Sequence, residues 1–555
     1  MATYPFATLA PMSAAPTVAG ERRSTGTVLG LPPGAWLAAI LTAAVATVLY
    51  ASRDGVFLSD ELTWLAAFDG YDPEELLTPH NGHLIVLLRL LYEGLPDVFG
   101  GSYLPFRILS AAALAGAGAC FYAFARPRVP PAIALGLTAL ALFMGSAEVV
   151  TVSPLGLPTL LSAAFGLGAI VAADRGRDGL GCIALLLAMG PHTPGVLIGI
   201  GLFLYVLLTR RTPRALAAYG VPLVLYGIWW LWALKFDQSL ASADNIPTTP
   251  WFMAESATVV AGSLSGLTPL ADNPIAFMEQ VLPAAAVPVV VGALGLALWL
   301  WRRQAIGPWA VAIAAILVLF WASAGLAESA VRQPTTPRLV AFGAVFALLL
   351  AVAVLERLEL PRGGWAAIGA LIAFGILGNA VGFIRGVDEI DAWAQQARVQ
   401  LGALELAGDE AAVSFTPAAV TTGAGRIPLT AAQVAALRDE HGIGKGYVEE
   451  IRTAPAELRT EADAILATAL GLQVVVTPAP LRTETCETGK AVELPPGAVV
   501  LRAGAATNVG LSRFGPSPVP VGFLEDGQGA QIEIPDDGAP ETWTLSGSRP
   551  VRVCR

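Results

Sequence analysis

The chain has 555 residues, of which 55% are hydrophobic and only 14% charged, with a net charge of −10 at pH 7. Because a soluble domain carries about 25% charged residues, this composition excludes an ordinary soluble enzyme and predicts a polytopic membrane protein. The negative net charge argues against nucleic acid as a partner.

The N-terminal segment 1–33 is rich in Ala, Pro, Ser and Thr, which predicts a disordered cytoplasmic tail. Arg22 and Arg23 stand before the first apolar run and also resemble the start of a cleaved signal peptide. The apolar run is long for a signal peptide, so we expect an uncleaved membrane anchor.

Eleven apolar segments predict about eleven transmembrane helices in a domain that covers residues 34–384. Arginines concentrate in alternate connections, so the positive-inside rule places the N-terminus in the cytoplasm and the C-terminus outside the cell membrane. Two outer loops are long, at 52–103 and 235–282, and the second is expected to form interfacial helices over a site. The predicted spans are 34–51, 104–125, 130–147, 155–173, 179–191, 194–208, 215–234, 283–301, 308–326, 339–355 and 364–384.

The segment 179–208 is basic at both ends and carries Pro191-His192-Thr193-Pro194 in its middle. Two short helices that meet at this turn keep the flanking arginines on the cytoplasmic side. Irregular backbone at membrane depth is tolerated where it lines a cavity. We therefore expect His192 to face a cavity.

The first outer loop opens with the acidic pair Asp60-Glu61 directly after the first span. Ionisable groups are costly near hydrocarbon, so such a pair is a functional-site candidate. One carboxylate, preferentially Asp60, would take a proton from an acceptor hydroxyl while Glu61 orients it or holds a cation. The alternative is that the pair caps a helix over 61–67 at the lipid headgroups.

Two of the four histidines follow in the same loop, in Pro79-His80-Asn81-Gly82-His83. They are candidates to line the acceptor or phosphate side of the same pocket. A divalent metal held with Asp60 or Glu61 is conceivable, and nothing else in the sequence supplies a ligand pair at metal spacing. The alternative is a pair of surface histidines.

Two helices are predicted within this loop. Asp72-Pro73-Glu74-Glu75 has the pattern of an N-cap, a proline at the first helical position and acids in the first turn. The segment 83–95 is apolar apart from Arg89 and Glu93 and is too short to span, so it is expected to lie along the membrane interface.

Four further residues are candidates for substrate binding. Glu148 lies in a short turn on the same side as Asp60, where the alternative is a solvated surface position. Arg332 and Arg338 flank a proline-rich segment and could clamp a phosphate, with lipid anchoring as the alternative. Arg89 is a weaker candidate of the same kind.

Hydropathy falls after residue 384, which predicts an extracytoplasmic α+β domain over 385–555. A helix is expected over 387–407. From about residue 486 short alternating strands with Gly, Pro and Asp turns predict a β-sandwich. Cys486 and Cys554 would bracket it, and a disulfide between them requires an oxidising face.

Several motifs together resemble the C-type (GT-C) integral-membrane glycosyltransferases, and more closely an uncharacterised actinobacterial membrane-protein family with a GT-C-like core. The high Ala, Gly and Pro content, with Arg far above Lys, agrees with a GC-rich bacterial genome. The likeness covers roughly residues 34–384. The motifs are Ser59-Asp60-Glu61, Pro79-His80-Asn81-Gly82-His83-Leu84 with Arg89, Tyr103-Leu-Pro-Phe-Arg107, Gly145-Ser146-Ala147-Glu148, and Pro337-Arg338 with Gly343-Ala344-Val345-Phe346.

The resemblance implies a polyprenyl-phosphate-sugar donor used on the outer face, and a first-loop acid as base or metal ligand. That acid corresponds here to Asp60, with Glu61 as a second candidate. Two departures indicate a different substrate or lost activity. The stretch 148–158 lacks a tryptophan that is expected in these relatives. The turn at 191–194 has the sequence Pro-His-Thr-Pro where a run of small residues is expected.

The predicted function is therefore transfer of a hexosyl or pentosyl group from a lipid-linked donor to an envelope glycan, lipid or protein acceptor. Two alternatives remain at this point: a non-catalytic GT-C-like scaffold that binds glycan, and a transporter or flippase of envelope precursors. Clustering of Asp60, Glu148, His83 and an arginine around one outer cavity would favour the enzyme. Their dispersal would favour the scaffold.

Overall fold

The computed structural model describes residues 27–554 except 69, 272–276, 330–331, 424, 478–485 and 538. Most of the predicted cytoplasmic tail, residues 1–26, therefore lies outside the described residues. The described part is mostly helical, with a β-sheet at its C-terminal end.

Seventeen α-helices precede the C-terminal domain within the described residues. Most of the apolar ones carry a proline in their first turn, where the missing N–H needs no partner, which explains where they begin. The helices are α1 (Pro33–Ala51), α2 (Asp60–Ala67), α3 (Pro73–Leu77), α4 (Val86–Phe99), α5 (Leu104–Ala125), α6 (Pro131–Leu142), α7 (Glu148–Val152), α8 (Leu157–Asp174), α9 (Asp178–Met189), α10 (Pro194–Thr209), α11 (Pro213–Ala233), α12 (Thr249–Leu264), α13 (Leu267–Leu270), α14 (Leu282–Arg302), α15 (Pro308–Leu326), α16 (Pro337–Leu355) and α17 (Arg362–Ala407).

Eight helices in the described part of the chain are long and apolar enough to cross a membrane. They are α1, α5, α8, α11, α14, α15, α16 and α17, each overlapping one predicted span. The other three predicted spans correspond to the shorter apolar helices α6, α9 and α10. The chain is therefore a multi-pass membrane protein.

The segment 179–208 forms two helices, α9 and α10, joined by the turn that contains His192. With 12 and 16 residues they are about 18 and 24 Å long, less than the roughly 30 Å hydrocarbon core. The prediction of two short helices meeting at the proline turn is confirmed.

The long helix α17 runs for 46 residues, from the apolar segment straight into the C-terminal domain. The helix expected over 387–407 is therefore present, and it is continuous with the span predicted over 364–384. No proline interrupts the helix, and Gly382 and Gly386 lie where a Cβ would collide with Pro269 and Glu148. Close packing at these two glycines therefore keeps the helix intact across the predicted boundary.

In its described residues, the C-terminal domain adds three α-helices and seven strands to the end of α17. The strands form one antiparallel sheet in the order β1-β6-β3-β7-β4-β5, with β2 also paired to β7. The elements are α18 (Ala431–His441), α19 (Val448–Thr453), α20 (Ala456–Ala469), β1 (Val475–Val476), β2 (Cys486–Leu494), β3 (Gly497–Ala503), β4 (Thr507–Ser512), β5 (Val519–Leu524), β6 (Gly529–Ile534) and β7 (Trp543–Cys554).

The 12-residue strand β7 connects the two halves of this sheet. Its first half pairs with β4 and its second half with β3, while β2 runs beside both. The two halves of the predicted sandwich are therefore joined by hydrogen bonds and are not separate sheets. Cys486 and Cys554 face each other at the end of the β2–β7 pair and form a disulfide.

The C-terminal domain packs on the first long loop, residues 52–103. The Arg398 guanidinium donates to the Asp54 carbonyl oxygen. At Gly101, a Cβ would stand 3.0 Å from backbone atoms of His441, Gly442 and Ile443. The loop that carries the acidic pair is therefore held between the apolar helices and the C-terminal domain.

Candidate active site

A two-residue β-hairpin lies at the centre of the candidate site. His80 and His83 exchange backbone hydrogen bonds of 3.0 and 2.9 Å, and Asn81 and Gly82 between them have φ of 49° and 74°. Asn-Gly is the preferred pair for a tight turn with two left-handed residues. Gly82 is also required sterically, because a Cβ there would lie 2.8 Å from the Gln238 carbonyl oxygen.

A cavity of about 370 Å³ opens on the His83 side of this hairpin. Five of the predicted substrate-binding residues line it, namely Asn81, His83, His192, Arg332 and Arg338. Its remaining wall is largely apolar and comes from α10, α11, α15 and α16, including Leu197, Trp230, Phe320, Leu339 and Phe342.

The two histidines of the cavity are in contact with each other. The rings of His83 and His192 stack with their centroids 5.0 Å apart, and His83 Nδ1 lies 2.5 Å from the Thr193 hydroxyl. Burial, reinforced by the nearby Arg332 and Arg338, lowers the pKa of His83 to about 3. His83 is therefore neutral at physiological pH and adds a hydrogen-bonding group without adding charge.

The two arginines share the cavity with one described acid, the exposed Asp237, but are not paired with it. Neither Arg332 nor Arg338 forms an ion pair with any described residue. Nor does the buried Nδ1 of His192 have a hydrogen-bond partner in the described part of the chain. Buried polar groups are normally paired, and guanidinium groups bind phosphate through parallel hydrogen bonds. The cavity is thus suited to an anion.

Asp60 is the first residue of α2 and does not line the cavity. The residue before it, Ser59, has φ 42° and ψ −113°, a conformation that strains a non-glycine residue by about 1–3 kcal/mol. The Trp64 indole N–H on the same helix donates to His80 Nε2 at 3.1 Å. Asp60 therefore adjoins the hairpin arm that carries His80.

Glu61 is fully buried beneath Asp60. Its carboxylate accepts hydrogen bonds from the Tyr92 hydroxyl at 2.8 Å, the Tyr103 hydroxyl at 2.9 Å and the Leu58 backbone N–H at 3.0 Å. Burial raises the pKa of Glu61 to about 7. This position argues against direct contact with substrate and makes Glu61 a group that orients the start of α2.

Arg89 and Glu148 lie outside the cavity. The buried Arg89 donates to the Thr78 carbonyl oxygen at 3.0 Å and packs over the Phe68 ring. Glu148 packs against Gly386 of α17, and burial raises its pKa to about 7. The predicted clustering is therefore partial, because His83 and the arginines share a cavity that neither Glu148 nor Asp60 lines.

Several residues of the site carry no recognisable motif. Thr193 contacts His83, and its only sequence signal is its position beside His192 in the proline turn. Tyr92 and Tyr103 donate to Glu61 and Trp64 donates to His80, but in the sequence all three resemble ordinary interfacial aromatics. Among the described residues no group of three or more His, Cys, Asp or Glu side chains could hold a metal ion.

Comparison with known proteins gives limited information. No protein-family model and no curated protein matches the chain. Among solved structures, the chain is similar to the cryo-EM structure of arabinosyltransferase EmbB from Mycobacterium smegmatis, with 11% sequence identity and a TM-score of 0.35. The alignment covers 96% of this chain and 65% of that one, so the chain spans somewhat less than two thirds of EmbB.

Proposed function

We propose that this protein is a GT-C-like membrane glycosyltransferase of the cell envelope. It transfers a hexosyl or pentosyl group from a polyprenyl-phosphate donor to a glycan, lipid or protein acceptor on the outer face of the plasma membrane. The observation that carries the proposal is the cavity in which Arg332 and Arg338 lack ion-pair partners among the described residues, next to the loop that presents Asp60.

The charges of the cavity suit the phosphate of such a donor. A sugar–phosphate–lipid diester carries one negative charge, and the departing lipid phosphate gains a second as the bond to the sugar breaks. Two guanidinium groups match this increase, and stabilisation of charge that develops in the transition state accelerates a reaction. His192 Nδ1 and the neutral His83 supply further polar contacts.

The apolar wall suits the lipid chain of the donor. Trp230 of α11 lines the cavity, while Ile228 and Leu231 of the same helix are 61% and 64% exposed and would face hydrocarbon. A polyprenyl chain can therefore lie along α11 with its phosphate in the cavity. This geometry supports a donor that arrives from the membrane.

Asp60 supplies the base in this proposal. The acceptor oxygen attacks the anomeric carbon of the donor sugar, its proton passes to the Asp60 carboxylate, and the carbon–oxygen bond to phosphate breaks with its electron pair on the lipid phosphate. Asp60 is partly exposed at the start of α2 and forms no ion pair with the described residues. It is therefore accessible to an acceptor from the aqueous side.

The test is sugar transfer by the purified full-length protein in nanodiscs, with a panel of polyprenyl-phosphate hexoses and pentoses. Asp60→Asn keeps the size of the side chain but removes the base, and loss of a general base lowers the rate by about 10²–10⁴-fold. Asp97→Asn is the matched control, since Asp97 is an exposed acid of the same loop. Full transfer by the Asp60 variant would contradict the assignment.

A non-catalytic protein that binds polyprenyl phosphate is the second candidate. It is favoured by one observation, that Asp60 does not line the cavity. Donor binding that depends on Arg332 and Arg338, without turnover of any donor in the panel, would identify this function in place of transfer.

A further inference from the structure

A strap, residues 237–241, is the part of the cavity wall that the proposed reaction does not use. It lies in the loop that follows α11, and all five of its residues line the cavity and are exposed. None of them belongs to a helix or a strand. The strap therefore forms an exposed, irregular side of a cavity whose remaining wall is largely apolar.

Contacts at both ends and in the middle hold the strap in place. Before it, Lys235 Nζ lies 3.0 Å from the Glu74 carboxylate of α3. After it, the Ser242 backbone N–H donates to the Leu326 carbonyl oxygen of α15 at 2.9 Å. Between these anchors, a Cβ at Gly82 of the hairpin would lie 2.8 Å from a carbonyl oxygen of the strap. The strap is thus fixed beside the hairpin of the site.

Three consecutive polar side chains of the strap line the cavity, namely the Asp237 carboxylate, the Gln238 amide and the Ser239 hydroxyl. None of these side chains hydrogen-bonds or forms an ion pair with another residue that the structure describes. A carboxylate accepts hydrogen bonds, while an amide and a hydroxyl both donate and accept them. This set suits a ligand group that is rich in hydroxyls, as a sugar is.

The charges of the cavity divide between two groups of the donor. Arg332 and Arg338 are the cations among the described residues that line the cavity, and in the proposed function the donor phosphate binds both. Asp237 is the acid among the same residues. A sugar bound at the strap therefore meets a carboxylate, and an acidic sugar would find no cation left to pair with it.

We infer that the strap binds the donor sugar and that Asp237 is a specificity-determining residue, which accepts hydrogen bonds from sugar hydroxyls and disfavours sugars with an acidic group. This inference rests on the proposed function. The sugar and the phosphate are bonded to each other, so both occupy one cavity of about 370 Å³. The substrate class is thus a polyprenyl-phosphate donor of an uncharged hexose or pentose.

The backbone at Asp237 allows two informative substitutions. Its φ of 50° and ψ of 37° are a left-handed conformation that Asn and Gly also adopt readily. Asp237→Asn therefore removes the charge, and Asp237→Gly the whole side chain, while the backbone is kept. Asp244→Asn is the matched control, because Asp244 is an exposed acid of the same loop that does not line the cavity.

Binding of polyprenyl-phosphate hexoses and pentoses to the full-length protein in nanodiscs tests the contact with the sugar. For the donor that the wild type binds most tightly, Asp237→Gly should weaken binding about 10- to 100-fold, as expected for a lost hydrogen bond to a charged group. Asp237→Asn should weaken it less, because the amide keeps a neutral hydrogen bond. Neither variant should weaken binding of polyprenyl phosphate without a sugar, whereas Arg332→Gln should weaken binding of both ligands.

A matched pair of donors tests the selection against acidic sugars. Polyprenyl-phosphate glucuronate should bind the wild type about 10-fold more weakly than polyprenyl-phosphate glucose, because two carboxylates then face each other. The difference should shrink in Asp237→Asn, and also at high salt, which screens an exposed charge. Asp244→Asn should keep the wild-type difference.

Three results would overturn the inference. One is wild-type binding of the sugar donor in both Asp237 variants. Another is an equal loss of binding for the donor and for polyprenyl phosphate without a sugar, and the third is equal binding of the glucose and glucuronate donors by the wild type. Thermal unfolding of each variant in nanodiscs checks that folding is retained.

These measurements of binding do not depend on turnover. Absence of transfer by the wild type with every donor would refute the glycosyltransferase assignment, while the expected pattern of binding would still support a sugar site at the strap. Transfer by a protein whose Asp237 variants bind every donor as the wild type does would refute the sugar site and leave the proposed function standing.

Discussion

Arginines near the two ends of helix α16 (Pro337–Leu355) differ in whether they form ion pairs. At its start, Arg338 faces the cavity and has no ion-pair partner among the described residues. Just past its other end, Glu356 lies 3.2 Å from Arg128 Nε, and Arg128 also pairs with Asp174. The same residue type is thus neutralised at one end of the helix bundle and left available at the other.

The neutralised end is a network that joins several helices. The Trp309 indole donates to Asp174 at 2.9 Å, and Arg210 pairs with Asp178 at 2.9 Å. Arg128 and Arg210 therefore each pair with an acid within the protein. This comparison indicates that an arginine near the membrane is evidence of a ligand site only when no neighbouring acid pairs with it.

The largest effect on stability is expected at the neutralised end. Asp174→Asn removes the main partner of Arg128, whose side chain is only 6% exposed, and breaking a buried pair costs about 3–5 kcal/mol. Glu356→Gln should cost at most about 1 kcal/mol, because Glu356 is 42% exposed. Chemical unfolding in detergent compares the two. Equal losses of stability in the two variants would contradict the expected difference between the buried and the exposed partner of Arg128.

A pH effect of similar size is expected from Glu61, which has no cation beside it. Its pKa is about 7 in the folded protein and 4.5 in the unfolded chain, so the folded state binds the proton more tightly. Stability should therefore fall as pH rises from 4.5 to 7, by on the order of 3 kcal/mol, and level off above. Glu61→Gln should flatten this slope. If stability in Glu61→Gln depended on pH as in the wild type, the pH effect could not be assigned to Glu61.

The disulfide between Cys486 and Cys554 tests the proposal that the C-terminal domain faces an oxidising compartment. Cys486→Ser with Cys554→Ser should lower the stability of the C-terminal domain by about 2–4 kcal/mol. Non-reducing peptide mapping of the mature protein should find the two cysteines joined. Two free thiols would argue against the external location of this domain and of the cavity.

The smallest expected effect is at the cavity arginines and concerns ligand binding. Arg332→Gln and Arg338→Gln should each weaken donor binding by about 10- to 100-fold, since a hydrogen bond to a charged group is worth about 1.5–3 kcal/mol. Their stability should stay near that of the wild type, because no ion pair is broken. Binding to polyprenyl phosphate is measured by titration in nanodiscs. Arg211→Gln, at an exposed position, is the control.

Local patterns in the sequence predict much of the fold. Asp72 caps α3 through its side chain, as its pattern with Pro73, Glu74 and Glu75 indicates, because capping depends only on neighbouring residues. The apolar segments likewise predict the long helices, because hydropathy also depends only on the local sequence. The continuity of α17 past residue 384 is different, because it depends on how Pro269 and Glu148 pack against its glycines.

The sequence by itself determines that this chain spans a membrane, where most of its helices begin, and that chemistry-bearing residues gather in the loop 52–103. Only the tertiary structure decides what each residue does. Asp60 and Glu61 are adjacent and chemically alike, yet Tyr92 and Tyr103 bury one and leave the other accessible. His83 meets Thr193 across 110 residues of chain, through a contact that the packing of separate helices creates and that no local pattern encodes.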